Sequence, residues 1–369
     1  MSSATAVTAA VEINVLKSAI GSHQVVHRDL GPISDGQALF AVDRFAITAN
    51  NVTYAVFGDA MKYWNFFPAS DPQWGVVPVW GFGDVMESRC DGVEVGDRYY
   101  GYWPMASHAV LEPARVTPTG FFDGIEHRRE LHSVYNNYVR VGSDPSYDPA
   151  REAEQMLLRP LFTTSFLIDD FLADNQMFGA HTVVLSSASS KTAYGAAFCL
   201  HERGSVRVVG LTSQRNRTFT EQLGCYDQVL CYDEVAVLPQ EPTTYVDMSG
   251  SSVTRSAIHE HLGDNLNYDC VVGGTHWDEI GGSSALPGPR PEMFFAPAQV
   301  AKRNTDWGQA VFQQRLGTSW TGFLDAVVST DSPWMRVEHV DGAEETAACF
   351  VAQAQGVALP EVGYVAQVS

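Results

Sequence analysis

The chain has 369 residues, 45% of them hydrophobic and 11% aromatic, which is enough for two globular domains and excludes a wholly disordered protein. Its net charge of −20 argues against nucleic-acid binding, which depends on clustered Lys and Arg side chains. It has no apolar run near the roughly 20 residues of a membrane helix and no secretory-signal pattern at its N-terminus, so we expect a cytoplasmic protein with no membrane partner.

The first third of the chain has the pattern of a β-structure. Residues 37–48, QALFAVDRFAIT, alternate apolar and polar side chains as a half-buried strand does, and the next apolar runs are short and broken by Gly and Pro. We therefore predict a compact β-barrel. Residues 122–150 carry charges on nearly every face of a helix, so we interpret them as an inserted surface helix and loop rather than as an active site.

From residue 153 the periodicity changes to that of an α/β protein. Residues 153–175 have a helical pattern that we expect to break at Pro160. Strands and helices then alternate, with strands predicted over 182–187, 207–213, 228–232, 243–250 and 268–275, and helices over 191–202 and 217–223. This alternation predicts a doubly wound parallel sheet, which binds ligands at the carboxyl ends of its strands.

The turn between the first of these strands and its helix lies where a dinucleotide-binding protein carries glycines. The sequence from residue 183 is VVLSSASSKTAYGAAF, and the G-x-G-x-x-G positions are occupied by Ala188, Ser190 and Ala193. Small side chains there still let the backbone approach a pyrophosphate, and amides at a helix N-terminus bind anions. We therefore predict a pyrophosphate site formed by six consecutive residues: Ser187, Ala188, Ser189, Ser190, Lys191 and Thr192.

The ending SSKT also resembles the phosphate-binding loop of nucleotide hydrolases. That motif needs glycine where this chain has Leu185 and Ser190. Because Leu185 lies inside the predicted strand, we favour the dinucleotide interpretation.

The end of the second strand indicates which dinucleotide binds. An Asp or Glu about 20 residues beyond the glycine turn grips the ribose 2′-hydroxyl of NAD, but here the strand ends GLTSQRNR, with no carboxylate. Ser213, Arg215 and Arg217 can instead bind the 2′-phosphate of NADP. We therefore predict NADP(H) as the cofactor, and the alternative is a solvated basic turn.

An ordered series of motifs resembles the medium-chain dehydrogenase/reductase superfamily, in particular its zinc-free quinone-oxidoreductase and enoyl-reductase branch. One member of the series is the predicted pyrophosphate turn at residues 187–192, which we call the serine turn. The others are VEVGDRYYGYWPMASHAVLEPARV, LLRPLFTTSFLIDDFL, LGCYDQVLCYDEV, TTYVDMSG, VVGGTHW and GYVAQV. Three further segments, NNVTYAVFGDAMKYWNFFPA, SSASSKTA and FFAPAQVAKR, resemble those of a divergent bacterial subfamily.

The resemblance implies an α/β fold with two domains. A GroES-like β-barrel catalytic domain would span residues 1–155, with the insertion at about 122–150, and a Rossmann cofactor-binding domain would span 156–295. Residues 296–369 would return to the catalytic domain. Dimers are common in the superfamily, so we expect a homodimer. ITANNVTY and VWGFGD replace the zinc-binding segments of its alcohol dehydrogenases, so no metal is expected.

The resemblance also implies several site residues. Thr164 takes the place of the family's threonine beside the nicotinamide, and Tyr232 matches the tyrosine of its Leu-Gly-Ala-Asp…Tyr motif. The stretch that lines the substrate cleft in zinc-free members offers Asn51, Tyr54 and Tyr63 for catalysis. We favour Tyr54, then Tyr63, because a tyrosine hydroxyl in an apolar pocket can donate a hydrogen bond to a developing oxyanion. Simple core packing of these aromatic residues is the alternative.

Further candidates follow the last predicted strand. Gly273 and Gly274 would let the nicotinamide approach the backbone, and His276 is the histidine that we expect to serve acid–base chemistry. The residues expected to wall the cleft are Phe294 and Phe295. The other histidines considered, which we expect at the surface or behind the site, are His108, His259 and His261.

Together these features predict a zinc-independent, NADPH-dependent oxidoreductase that reduces a small hydrophobic enone, quinone or ketone by hydride transfer. The hydrophobic character of the substrate is inferred from five aromatic residues of the first domain: Trp64, Phe66, Phe67, Trp80 and Trp103. Core packing explains the same residues without a substrate. The alternative function is an NADP(H)-binding sensor or partner protein on the same fold, without redox activity.

Overall fold

The computed structural model describes residues 8–272, 286–329 and 331–368. The chain divides into two compact units, Met1–Leu157 with Arg336–Ser369, and Leu158–Met335. The first boundary falls close to the predicted position 155. The return to the first unit comes later than the predicted position 296, because the helices between residues 296 and 327 pack inside the second unit, where the rings of Phe162 and Phe323 stack 4.4 Å apart.

The described residues form eighteen strands and eight α-helices. The strands are β1 Thr8–Leu16, β2 Ala19–Leu30, β3 Ala38–Ile47, β4 Trp74–Val76, β5 Pro78–Ser88, β6 Arg98–Pro104, β7 His108–Leu111, β8 Pro113–Thr117, β9 Gly120–Asp123, β10 Asn137–Arg140, β11 Thr182–Leu185, β12 Arg207–Thr212, β13 Gln228–Cys231, β14 Thr243–Asp247, β15 Leu266–Val271, β16 Pro291–Met293, β17 Arg336–Asp341 and β18 Val362–Gln367. The helices are α1 Ala49–Val56, α2 Glu152–Asp174, α3 Lys191–Arg203, α4 Arg217–Gln222, α5 Ser252–Leu262, α6 Ala296–Asp306, α7 Gln309–Val327 and α8 Ala343–Ala354.

The first unit is built mainly on a mixed β-sheet. Its strands join in the order β17-β18-β3-β5-β6-β10-β9-β8, with β7 also paired to β3, and a smaller sheet has the order β2-β1-β4. The alternation predicted for residues 37–48 is found in β3, where Phe40, Val42 and Phe45 enter the hydrophobic core. A register shift between Val42 and Arg44 turns Phe45 inward instead of the arginine.

The predicted surface insertion at residues 122–150 is not wholly at the surface, because it contains strand β10 and four buried side chains, those of Asp123, Arg128, Asn136 and Tyr138. Strand β10 pairs with β6 and β9, and Arg128 is fully buried, donating hydrogen bonds to Asp123 Oδ2 at 2.9 Å and to the Tyr135 carbonyl at 2.7 Å. The prediction is wrong because it assigns these charges to the solvent, whereas Arg128 and Asp123 neutralise each other inside the protein.

The second unit contains the predicted doubly wound sheet. Its six strands are all parallel and lie in the order β13-β12-β11-β14-β15-β16. The elements predicted between residues 182 and 232 lie close to the observed bounds. The strand order reverses between β11 and β14, and the carboxyl ends of strands at such a reversal form the crevice where open α/β sheets bind ligands.

Helix α2 runs through Pro160 without the break that the sequence predicts. An internal proline costs a helix about 3 kcal/mol. Leu158 before the proline and Phe162 and Leu167 after it are all buried. Burial of each such side chain contributes about 1.5–3 kcal/mol, so packing on both sides of the proline outweighs its cost.

Two absences hold for residues 8–272, 286–329 and 331–368. No helix in these ranges combines the length and the apolar character needed to cross a membrane. In the same ranges, no three His, Cys, Asp or Glu side chains are grouped so that they could hold a metal ion.

Candidate functional site

The turn after strand β11 forms a left-handed bend although it has no glycine. Ser187 has a φ of 50°, and the N–H of Ser190 donates to the Ser187 carbonyl at 2.7 Å. Such a conformation costs a non-glycine residue about 1–2 kcal/mol. The Tyr232 hydroxyl accepts a hydrogen bond from the Ser187 N–H at 3.1 Å, which helps to hold the bend. The structure thus brings together two predicted cofactor residues, Ser187 and Tyr232.

Ala188, at the centre of the turn, packs against the neighbouring strand. It is fully buried, and its N–H donates to the Leu211 carbonyl at 3.0 Å. Gly210 on β12 lies so close that an added Cβ would come within 2.8 Å of the Ala188 Cβ. The Tyr226 hydroxyl donates to the Ala188 carbonyl at 2.8 Å. The backbone of Ala188 is therefore committed to the fold, and this residue supports the turn instead of donating to a phosphate.

Helix α3 begins directly after the turn, at the carboxyl edge of the sheet. Ser190 caps it, since its hydroxyl accepts a hydrogen bond from the Ala193 N–H at 3.3 Å. Lys191 and Thr192 form the start of the first helical turn. Amides in a first helical turn carry partial positive charge and attract anions. The predicted phosphate residues therefore lie at a helix N-terminus, as expected.

A close contact between α2 and α3 fixes the direction of this helix. A Cβ added to Gly195 would lie 2.6 Å from the Ser165 hydroxyl oxygen, so glycine is needed for the two helices to approach. Ser165 donates to the Thr192 carbonyl at 2.7 Å. Its neighbour Thr164, the residue predicted beside the nicotinamide, donates within α2 to the Pro160 carbonyl at 3.4 Å.

The loop after strand β12 contacts the serine turn. Asn216 donates a side-chain hydrogen bond to the Ser189 hydroxyl at 3.0 Å, and its backbone N–H donates to the Ser213 carbonyl at 3.0 Å. Arg215 lies in the same loop. The structure thus joins the predicted phosphate turn to the loop that contains the predicted 2′-phosphate residues.

Arg217, the third residue predicted for the 2′-phosphate, is held by two carboxylates. Its Nε donates to Glu221 and its Nη1 to Glu234, both at 3.0 Å. The Cys231 N–H, followed by Arg217, holds the pKa of Glu234 below its usual value, so this carboxylate is charged at neutral pH. A 2′-phosphate would have to compete with both carboxylates for this guanidinium.

A buried charge network lies behind the turn, at the end of β14. Asp247 is fully buried, and its Oδ1 accepts a hydrogen bond from the Ser186 hydroxyl at 2.8 Å. Arg255 donates to the other oxygen of Asp247 at 2.5 Å. His259, also fully buried, contacts Asp269 at 2.9 Å, so it belongs behind the turn and not at the surface. This network fixes Ser186, where the turn begins.

Three predicted residues, Gly273, Gly274 and His276, lie outside the described residues. Of the two phenylalanines expected to wall the cleft, Phe294 is buried with its ring 5.5 Å from that of Phe171, and Phe295 is 50% exposed.

The first unit contains a cluster of aromatic rings around Tyr54. This tyrosine cluster comprises Tyr54, Tyr63, Phe66, Trp80, Tyr102 and Tyr135. The Tyr54 hydroxyl accepts hydrogen bonds from Asn50 Nδ2 at 2.6 Å and from Trp80 Nε1 at 3.0 Å. Burial raises the pKa of Tyr54 far above its ordinary value, so the hydroxyl stays protonated at physiological pH. Its oxygen accepts both of these hydrogen bonds, and the hydroxyl also interacts with the neighbouring Tyr135 hydroxyl.

The other hydroxyls of the tyrosine cluster differ in their partners. Those of Tyr63 and Tyr135 lie 3.1 Å apart and bond to each other. The Tyr102 hydroxyl is buried and has no hydrogen-bond partner within the described part of the chain. Its ring centre lies 5.3 Å from that of Tyr54. An unpaired buried hydroxyl costs about 1–3 kcal/mol, and no hydrogen bond among the described residues offsets that cost at Tyr102.

Asn51, predicted as a catalytic residue, serves the scaffold. Its Oδ1 accepts a hydrogen bond from the Thr48 N–H at 2.7 Å, which caps helix α1, and its Nδ2 donates to the Pro78 carbonyl at 3.0 Å. The aromatic residues predicted to line a pocket also divide: Trp64 and Trp103 belong to the hydrophobic core, Phe66 and Trp80 to the tyrosine cluster, and Phe67 packs against both. Core packing therefore accounts for the two tryptophans.

Sequence analysis missed several residues that shape these sites. Asp247 is the last residue of strand β14, and a polar residue at the carboxyl end of a buried strand is a signal that could have identified it. Tyr135 went unnoticed because its segment was predicted to be a surface insertion. No local pattern marks Asn216 or Tyr226, since their roles depend on contacts with distant parts of the chain.

The edge of the second unit's sheet fits an anionic dinucleotide by its donor set. Residues 186–192 and 213–217 together span 12 positions, which contain five serines, a threonine, a lysine and two arginines and no Asp or Glu. The start of helix α3 adds backbone donors at the same edge.

Comparison with known proteins supports the fold. The chain matches the model of a family described as "Protein of unknown function (DUF2855)" over residues 45–358. No curated protein matches it at the sequence level. Among solved structures it is similar to CurA from Vibrio vulnificus in complex with NADPH, at 14% identity and a TM-score of 0.65, covering 97% of this chain and 99% of that chain.

Two further structures are similar over the same extent. The quinone oxidoreductase from Coxiella burnetii is 14% identical and the yhdH oxidoreductase from Salmonella enterica in complex with NADP is 13% identical. Each comparison covers 98% of this chain and 100% of the other, with a TM-score of 0.54. These likenesses confirm the predicted fold, a GroES-like domain with a Rossmann domain.

Proposed function

We propose that this chain, which belongs to the family described as DUF2855, is an NADPH-dependent oxidoreductase. Its fold makes it a divergent member of the medium-chain dehydrogenase/reductase superfamily. The finer proposal is a zinc-independent enzyme that reduces a hydrophobic enone, quinone or ketone. The observation that carries the proposal is the donor-rich edge of the parallel sheet, where the serine turn meets the N-terminus of α3. The relatives crystallised with NADPH or NADP support it.

The start of helix α3 is proposed to bind the pyrophosphate of the cofactor. Its first-turn amides supply backbone donors, and Lys191 supplies positive charge. The Ser190 hydroxyl accepts from Ala193 and can donate its own proton to a phosphate oxygen. Ser187 and Ala188 shape the turn, held by Tyr232 and by the neighbouring strand.

NADPH is proposed over NADH because the loop after β12 has no carboxylate at residues 213–217. Ser213 and Arg215 are the residues proposed to bind the 2′-phosphate. Arg217 contributes less, since Glu221 and Glu234 already occupy its guanidinium.

Tyr54 is proposed to stabilise the charge that develops on the substrate oxygen. NADPH, when bound, supplies the hydride. The protonated Tyr54 hydroxyl, which already accepts two hydrogen bonds, is suited to donate to that oxygen. Tyr102, with its unpartnered hydroxyl among the described residues, is proposed as a second donor. Removal of one such donor typically costs about 10²–10³-fold in kcat.

Cofactor binding is tested by fluorescence titration with NADPH and NADH. We expect NADPH to bind more tightly, and Arg215→Ala to weaken NADPH by about tenfold or more while leaving NADH unchanged, because a charge-assisted bond to the 2′-phosphate is lost. Arg207→Ala is the matched control, since Arg207 is exposed and pairs with Gln228 at 2.8 Å. An unchanged NADPH affinity in Arg215→Ala would refute the assignment of the 2′-phosphate site.

Catalysis is tested by the loss of NADPH absorbance with a panel of quinones, enones, ketones and aldehydes. Tyr54→Phe and Tyr102→Phe should each lower kcat by about 10²-fold or more with NADPH affinity unchanged, whereas Tyr364→Phe, outside the tyrosine cluster, should behave as wild type. NADPH binding without turnover across the panel would favour the sensor function over the enzyme.

The homodimer implied by the resemblance stays a prediction, which light scattering would test.

A further inference from the structure

The buried charge network behind the serine turn consists of four side chains whose charges alternate. Asp247 and Asp269 stand on the neighbouring strands β14 and β15, and Arg255 and His259 stand one turn apart on helix α5. Arg255 lies between the two carboxylates, with Nη2 2.5 Å from Asp247 Oδ2 and Nε 3.3 Å from Asp269 Oδ2. His259 Nε2 lies 2.9 Å from the same oxygen of Asp269. The two cations thus share one carboxylate.

The two ring nitrogens of His259 both face acceptors. Nδ1 lies 2.7 Å from the Pro287 carbonyl oxygen, and Nε2 lies 2.9 Å from the Asp269 carboxylate. A neutral imidazole has one N–H and one lone pair, so it satisfies only one of these acceptors, whereas an imidazolium ring donates to both. Because Arg255 lies 3.3 Å from Asp269 Oδ2 and favours the ionised carboxylate, the second proton belongs to the ring.

The balance of charge leads to the same protonation state. The two carboxylates bring two negative charges and Arg255 brings one positive charge, so the network is neutral only when His259 is a cation. A buried charge without a partner is strongly unfavourable. Tyr245 and Cys270, the other titratable side chains of these strands that interact with the carboxylates, stay protonated because burial raises the pKa of each.

Asp247 connects this network to the serine turn. Its Oδ1 accepts hydrogen bonds from the hydroxyls of Ser186 and Ser249, both at 2.8 Å, and from the Gly250 N–H at 3.0 Å. One carboxylate thus joins the ends of β11 and β14, the two strands between which the strand order reverses. The other oxygen of this carboxylate is held by Arg255. The start of the turn therefore depends on where Arg255 lies.

We propose that His259 is a positioning residue for cofactor binding, whose second proton keeps Arg255 on Asp247 and so holds the serine turn. This inference rests on the proposed function. When the ring loses that proton, Asp269 retains Arg255 as its cation among the described residues, and the two carboxylates compete for one guanidinium. The network then also carries a net negative charge behind a turn proposed to bind phosphates, which repels the anion. Cofactor affinity should fall as pH rises through the range in which His259 deprotonates.

Nitrogen-15 NMR of the histidine rings in the full chain tests the protonation state. We expect both ring nitrogens of His259 to carry protons at pH 7, with their resonances assigned by their loss in His259→Gln. In Asp269→Asn the new amide can donate to Nε2, so a neutral ring satisfies both of its contacts and should be observed. A singly protonated ring in the wild-type protein would overturn the inference.

Fluorescence titration with NADPH at pH 7.5 tests the effect on the cofactor site. His259→Gln should weaken binding about fivefold or more, a typical size for coupling between two sites. His261→Gln, the same change two residues along α5 at a half-buried ring, should bind as wild type. Asp269→Asn should restore the affinity of His259→Gln in the double variant, because no second carboxylate is left to compete for Arg255. A role limited to packing predicts no such rescue.

The pH profile adds a readout that packing alone would not move. The 2′-phosphate loses its last proton at about pH 6, so its charge is constant over a titration from pH 7 to 9. Wild-type NADPH affinity should fall across the range in which the NMR spectrum shows His259 losing a proton, and Asp269→Asn should lack this fall. Unchanged NADPH affinity in His259→Gln, or no rescue by Asp269→Asn, would overturn the inference.

Hydrogen exchange separates this inference from the proposed function. A wild-type chain that binds no NADPH would refute the proposed function, and the protection of amides in residues 186–192 would then decide the role of His259. Protection should be lower in His259→Gln than in wild type and should return in the double variant with Asp269→Asn. Equal protection in all three proteins would overturn the inference.

Discussion

Replacement of Arg128 by methionine tests the buried ion pair that replaces the predicted surface insertion. Arg128 is fully buried and donates to Asp123 at 2.9 Å and to Asn136 at 2.9 Å. Its guanidinium also lies over the rings of Phe66 and Phe67, at 5.2 and 4.9 Å from their centres. Methionine keeps much of the volume but leaves Asp123 as a buried carboxylate without its cation.

The expected loss of stability is large. Removal of one partner of a buried ion pair typically costs about 3–5 kcal/mol. In a domain of about 150–250 residues, the size of the first unit, each kcal/mol lowers the melting temperature by about 2–4 °C, so this unit of Arg128→Met should melt about 6–20 °C below that of wild type. Arg89→Met is the matched control, because Arg89 has a 45% exposed side chain and lies 3.6 Å from Glu87. Its stability should change by no more than about 0.5 kcal/mol.

The effect should depend on pH in a defined direction. Burial raises the pKa of Asp123, and Arg128 and two backbone N–H groups lower it in part. An acid whose pKa is higher in the folded state than in the unfolded state loses stability as pH rises through that window. Without Arg128 this pKa rises further, so the gap in melting temperature between wild type and Arg128→Met should shrink as pH falls from 7.5 to 5.

Thermal and urea unfolding of Arg128→Met and of Asp123→Asn/Arg128→Met would check the reasoning. The double variant has no charge to leave unpaired, so it should be more stable than Arg128→Met at pH 7.5 and should lack the pH-dependent gap. A double variant that is as unstable as Arg128→Met at every pH would refute the argument, because the loss would then come from packing and not from the stranded charge.

Three further predictions concern the second unit. Ser187→Gly should raise stability by up to about 1 kcal/mol in thermal unfolding, because glycine takes the left-handed conformation without strain; a loss would show that the serine is not strained. Gly195→Ala should lower stability by about 1–3 kcal/mol despite its better helix propensity, because the new Cβ meets Ser165 at 2.6 Å, and a stable variant would contradict the close packing. Glu234→Gln should tighten NADPH binding about two- to fivefold in a fluorescence titration and leave NADH unchanged, since it releases Arg217 from one carboxylate; an equal change for both cofactors would argue against a role at the 2′-phosphate.

The sequence by itself determined the α/β part of the fold. Between residues 182 and 232 the hydrophobic periodicity changes from strand to helix and back, and each change lies close to an observed boundary. The small residues of the serine turn likewise predicted where the backbone bends. These features are local, since each is set by the spacing of apolar side chains and by residues that neighbour one another in the chain.

The partners of the polar groups were decided only by the tertiary structure. Ser187 holds its bend with the help of Tyr232, which comes from the end of a different strand. From the sequence, Arg128 and its neighbours were predicted to be exposed to solvent. Their charges neutralise each other only after the surrounding strands have paired, and the sequence does not show that pairing. Hydrophobic periodicity predicts which face of a helix or strand is buried. It does not predict which distant side chain contacts that face, and this contact decides whether a residue binds a ligand or supports the scaffold.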